Sequence, residues 1–123
     1  FAKTPFHYDD NHNVYVQLYG SKQFFLIPPK EYGKMYVYPE AHPSDRQSQV
    51  PWLPKLSWEL DINKFPRFHG ISEAWRAILE PGDALILPAT WFHCVQAMSQ
   101  SVSGMIVLNS CFAGGGGGEE EEE

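Results

Sequence analysis

The sequence predicts an all-β fold, a sandwich or barrel of short strands. Three observations carry this. Residues 13–19, NVYVQLY, alternate strictly. The second half offers further short apolar runs closed by proline or glycine turns. No stretch has the length and periodicity of a convincing long helix.

The elements follow in order. In NVYVQLY, Val14, Val16 and Leu18 share one face, and Asn13, Tyr15, Gln17 and Tyr19 share the other. GSK then offers a turn, and QFFLIPP reads as a return strand, so the pair is expected to form a hairpin ended by Pro28-Pro29. From about residue 30 to 72 the chain carries Pro39, Pro43, Pro51, Pro54 and Pro66 and few clean periods. This reads as a long insertion that packs down on its Trp and Tyr residues, in the manner of a lid or binding edge. SEAWRAIL could open a short helix capped by Ser72, but Trp75, Ala77 and Leu79 alternate, and strand is the preferred reading. EPGD is expected to turn tightly into the strand ALILP. HCVQAM and SGMIVLNSCF give two more strands.

The chain has 123 residues, enough for one domain with a real core. We place that domain at 1–113, incomplete at both ends. The tail from 114 to 123, GGGGGEEEEE, is expected to be disordered or engineered, since polyglycine buries nothing and adjacent glutamates repel. Five of the 15 acidic residues lie in that tail, leaving 10 against 9 basic residues before it. A nearly neutral body makes nucleic acid an unlikely general partner. Cys94 and Cys111 are too few for a disulfide scaffold, which points to a reducing, intracellular compartment, cytoplasmic or nuclear. No run of 18 apolar residues exists to span a membrane, and no signal peptide is evident. The chain opens on Phe1 and reads as a piece of a longer protein.

Near the start, TPFHYDDNHN crowds polar residues ahead of the first strand. His7 and Asp9 are two apart, so in extended chain both side chains share a face, with Tyr8 and Asp10 turned away. His93, after Trp91-Phe92 at the start of a strand, is the best third ligand. Two imidazoles and one carboxylate on one side of an ion leave three positions open, the facial arrangement of non-haem Fe(II) oxygenases. His12 has the wrong parity to share the His7 face, and His42 and His69 read as structural.

The segments TPFHYDDNHNVYVQLYGSKQFFLIPP, YPEAHPSDRQSQV, LEPGDALILPATWFHCV and MIVLN, in this order, resemble the JmjC and cupin-like hydroxylases over roughly residues 4–112. The likeness is greatest to the asparaginyl hydroxylase branch that acts on the hypoxia-inducible transcription factor. The resemblance implies a double-stranded β-helix, the jelly roll, that binds Fe(II) and 2-oxoglutarate. It puts the metal triad on His7, Asp9 and His93. It also implies that Lys22 pairs with the far carboxylate of 2-oxoglutarate, that the Thr4 hydroxyl assists, and that Asn13 and Asn109 line the cosubstrate pocket. Arg46 and Gln47 fall in a segment that contributes to a protein-substrate groove. Beyond the metal ligands no catalytic side chain is implied. The activity implied is dioxygen-dependent hydroxylation of a protein side chain. Histone lysine demethylation, tRNA hydroxylation and a non-catalytic protein-binding module are the alternatives, along with a cupin metalloenzyme that needs no cosubstrate.

Overall fold

The structure is a computed structural model that describes residues 4–51 and 64–108, together with the backbone of 118–122. Seven strands carry the fold: β1 His12–Tyr19, β2 Lys22–Ile27, β3 Trp75–Leu79, β4 Ala84–Leu87, β5 Phe92–Ala97, β6 Val102–Leu108 and β7 Gly118–Glu122. They form two antiparallel sheets, β4-β1-β6-β7 and β3-β2-β5. This is the all-β, cupin-like jelly roll.

The expected hairpin of β1 and β2 is not there. β1 pairs with β4 and β6, whereas β2 pairs with β3 and β5. The chain changes sheets at Gly20-Ser21 instead of folding back on itself. The reason lies in what the inward positions bury. Tyr15 of β1 and Phe24 of β2 meet across the interior, their rings tilted by 59° with centroids 5.1 Å apart. A hairpin would place the two strands side by side in one sheet and lose this packing between layers. The EPGD turn is a second such corner. It links β3 of the small sheet to β4 of the large one, with Gly82 at φ +95°.

Gly20 is fixed by its surroundings. Its φ is +68°, and an added Cβ would come within 2.0 Å of the Gln100 carbonyl oxygen. The buried Gln17 amide clamps the same corner by donating to the Tyr19 and Gly20 carbonyls at 2.9 and 3.0 Å. Gly20→Ala is therefore expected to cost more than about 1 kcal/mol, since strain and collision act together. Chemical denaturation would read this as a lowered midpoint at unchanged slope.

The core lies between the sheets. Tyr15, Phe24, Leu26, Leu79 and Leu87 form its centre, with Ala77, Leu85, Trp91, Val95 and Met105 packed around them. The inward face of β1 is its polar one: Asn13, Tyr15 and Gln17 are buried, while Leu18 is exposed. A strand that turns amides into a barrel and leucine to solvent signals a functional interior rather than a plain core.

Among its described residues the insertion has the 3-10 turns Pro29–Lys34 and Pro66–Gly70. It packs down as expected, with Met35, Val50 and Phe65 buried. Ser48 serves its buried backbone, donating to the Met35 carbonyl at 2.5 Å and accepting from the Val50 N–H at 3.0 Å. Glu31, also buried, accepts from the Ser72 hydroxyl at 2.7 Å and pairs with Lys34 at 3.1 Å. These bonds hold its carboxyl below the ordinary glutamate range, the Ser72 hydroxyl first among them.

The segment 114–123, expected to be disordered, contains β7, which runs antiparallel to β6 with Gly104 opposite Glu122 and Leu108 opposite Gly118. Backbone pairing is the physical basis: a bare edge of β6 presents a row of N–H and C=O groups that any extended chain can satisfy.

Candidate metal centre and its surroundings

Before β1 the chain runs as an extended edge along β5. The Thr4 N–H donates to the Val95 carbonyl at 3.0 Å, and His7 and His93 exchange both backbone bonds, at 3.1 and 2.8 Å. That exchange makes His7 and His93 a directly opposed antiparallel pair, with both imidazoles on one face. The ring centroids are 4.2 Å apart. Asp9, two residues on, shares the face. Its carbonyl accepts from the Thr90 N–H at 2.8 Å, and Thr90 itself sits at φ +69°. This tight corner brings the start of β5 back against Asp9. Tyr8, on the opposite face, packs edge-on against Phe92.

The candidate ligand atoms of His7, Asp9 and His93 all lie within 4.8 Å of one another. His7 Nδ1 is 2.9 Å from the Pro5 carbonyl oxygen, and His93 Nδ1 is 3.0 Å from that of Trp91. A carbonyl only accepts, so each Nδ1 is the donor, and Nε2 is left as the atom of each ring that can bind an ion. Burial, and then the neighbouring His7, push the His93 pKa down to about 4, so at neutral pH its Nε2 stays unprotonated.

His93 is 1% exposed, and its Nε2 has no hydrogen-bond partner among the described residues. It faces Asp9 Oδ2 at 3.5 Å. A lone pair confronting a carboxylate in a buried place is unfavourable unless a cation lies between them. The donor set and this orphaned nitrogen therefore fit a divalent metal ion.

Asn13 is buried and donates from Nδ2 to Asp9 Oδ2 at 2.9 Å. It thus orients the carboxylate through the same oxygen that faces His93. Asn13→Ala is expected to weaken Mn(II) binding about 10- to 100-fold while the fold survives. Calorimetric titration checks this, with circular dichroism as the control.

Lys22 points into the barrel four residues along β2 from Leu26, the residue that pairs with His93. It is 8% exposed, and its Nζ donates to the Ser103 hydroxyl at 2.5 Å. Ser103 escaped the sequence reading, since a lone serine in an apolar strand carries little signal; its register opposite Gln17 brings it inside. Thr4 is exposed at the edge of β5, where its hydroxyl accepts from the Val95 N–H at 3.1 Å. Gln47 pairs with His7 on the side away from β5, and the Arg46 carbonyl accepts from the Tyr8 N–H at 3.0 Å. His12 stands apart from the triad, accepting from the Ala89 N–H at Nδ1. Asn109 lies outside the described residues.

The jelly roll thus carries, at the end of its small sheet, a His-Asp-His group that could hold a metal ion, the arrangement of a cupin-type site. The chain belongs to the cupin-like domain family, which it matches over residues 2–113. Its relatives carry varied names. It is 31% identical over 113 residues to the lysine-specific demethylase JMJ32 of Arabidopsis thaliana, covering 75% of this chain and 33% of that protein. It is 29% identical over 113 residues to the human bifunctional peptidase and (3S)-lysyl hydroxylase JMJD7, covering 77% and 34%. It is 35% identical over 94 residues to the tRNA wybutosine-synthesizing protein 4 of Gibberella zeae, covering 75% and 8%. The chain thus spans about a third or less of these relatives.

Proposed function

We propose that this chain is the catalytic core of an Fe(II)- and 2-oxoglutarate-dependent dioxygenase that hydroxylates a protein side chain. One observation carries the reading: two imidazoles and a carboxylate converge from one face, and the Nε2 of the buried His93 has no hydrogen-bond partner among the described residues. His7, Asp9 and His93 would hold the iron. When bound, Fe(II) and 2-oxoglutarate would supply the oxidising power, with dioxygen divided between succinate and the hydroxylated substrate.

The chain's own residues have simpler tasks. The Pro5 and Trp91 carbonyls fix the imidazole tautomers, and Asn13 fixes the carboxylate. Lys22 offers a buried positive charge deeper in the barrel, where Ser103 holds its ammonium in place. Such a charge suits the distal carboxylate of a dicarboxylic acid entering from the metal end. The apolar ring of Tyr15, Phe24, Leu26 and Leu87 keeps water from the space between. Thr4, Asn109, Arg46 and Gln47 keep their implied roles toward cosubstrate and protein substrate within this reading.

The likeness to asparaginyl hydroxylases rests on the sequence motifs alone. Lysine demethylation is the second reading, favoured by the names of relatives such as JMJ32. The full chain, supplied with Fe(II), ascorbate and 2-oxoglutarate, should release succinate. Mass spectrometry of offered peptides then separates the two: a gain of one oxygen marks hydroxylation, and loss of a methyl group marks demethylation. No succinate from a chain shown to bind the metal would refute the oxygenase.

A further inference from the structure

A hollow of about 500 Å³ opens on the other face of the extended segment that carries His7 and Asp9. Tyr8, Asp10, Tyr32, Tyr38, Glu40 and Arg46 are its principal walls, with Val37 and Asp45 completing it. Tyr8 and Asp10 alternate with His7 and Asp9 along the chain, so one extended segment serves the metal group on one side and this hollow on the other.

Its aromatic wall is built rather than incidental. The Tyr8 ring stands edge-on to both Phe92 and Tyr32, with centroids 5.3 and 6.2 Å away. Tyr38 is stacked on His42 at 4.4 Å. Rings held by such neighbours are preorganised, and a tyrosine face attracts a cation. The charges agree. Three carboxylates, Asp10, Glu40 and Asp45, face one guanidinium. Arg46 reaches Asp10 and Asp45 only at 3.8 and 4.0 Å, at exposed positions where such pairs are weak. Among the described residues its lining holds three carboxylates to one guanidinium, and Glu40 lies outside both pairs.

We propose that this hollow anchors a lysine or arginine side chain of the protein substrate, away from the residue that reacts. This deepens the hydroxylase reading and rests on it for the word substrate. It requires neither iron nor cosubstrate to be bound. A flexible basic side chain can lay its stem along Tyr8 and Tyr32 and bring its charge to Asp10 and Glu40. The hollow then fixes the register of a peptide relative to the metal by holding a neighbouring side chain.

The test is binding without turnover. The full chain, isotopically labelled for NMR, is titrated with the pentapeptide acetyl-Gly-Gly-Lys-Gly-Gly-amide. Matching peptides carry norleucine, acetyl-lysine or glutamate at the centre. Saturable shifts at Tyr8, Tyr32 and Tyr38 are expected for the lysine peptide, with affinity at least tenfold weaker for norleucine and acetyl-lysine. Glu40→Gln should weaken the lysine peptide at least threefold while Mn(II) affinity stays unchanged. Tyr32→Ala should do the same, and its amide spectrum reports whether the fold is kept. Equal binding of lysine and norleucine peptides, or preference for glutamate, would overturn the proposal. Since Mn(II) is titrated separately, failure of the hollow and failure of the metal site give different results.

Discussion

His93→Ala is expected to lower Fe(II) or Mn(II) affinity by more than 100-fold and to abolish succinate release. An outer carboxylate or amide partner typically affects metal affinity 10- to 100-fold, and a direct ligand should exceed that. His93 supplies the buried lone pair that has no other partner among the described residues. Removing it leaves His7 and Asp9 alone on the ion. Truncating a buried imidazole also opens a cavity, so Asp9→Asn serves as the companion variant: it keeps the volume and removes the charge that holds the cation. Calorimetric titration with Mn(II) under nitrogen reads both. Undiminished binding in either variant would remove the basis of the metal assignment.

Lys22→Met should separate cosubstrate from metal. The change keeps an unbranched stem of similar length and deletes the ammonium. Leaving a bound carboxylate unpaired in a buried site costs about 2–5 kcal/mol, or about 30- to 1,000-fold in affinity. 2-Oxoglutarate binding is therefore expected to fall by at least 30-fold. Mn(II) affinity should stay within about twofold, because Lys22 stands four strand residues, about 13 Å, from the position opposite His93. Displacement of 2-oxoglutarate followed by NMR on the Mn-free chain with Zn(II) checks the first, and calorimetry the second. Parallel loss of both would mean that Lys22 supports the barrel instead of the cosubstrate.

The triad was readable because its geometry is local and periodic. His7 and Asp9 need only an extended backbone to share a face, and His93 needs only a strand start beside them. The resemblance singled out Lys22 and Asn13, but not the side chains they bond in the structure. Asn13 lies four residues from Asp9, and its bond to that carboxylate depends on how the chain bends into β1. Ser103 reaches Lys22 across 81 residues, through the register of two sheets that no local pattern reports. The β1–β2 misreading has the same origin. GSK is good turn chemistry, and it does turn. Whether the next strand lies beside the first or across from it is decided by Tyr15 meeting Phe24, a tertiary fact. The strands of the second half were found because each is bounded by its own proline, glycine or serine punctuation.

The corner at Gly20 has a consequence for how this protein comes into being. With β1 and β2 in different layers, the first strand's hydrogen-bond partners are β4 and β6, and Asn13 must wait for Leu87 and Val107. On a nascent chain β1 can therefore pair with neither neighbour until β4 and β6 have emerged, and His7 waits for His93, 86 positions further on. Such distant pairing makes for slow folding. Synthesis halted before residue 84 should leave β1 open to proteases, whereas a chain continued through 108 should protect it.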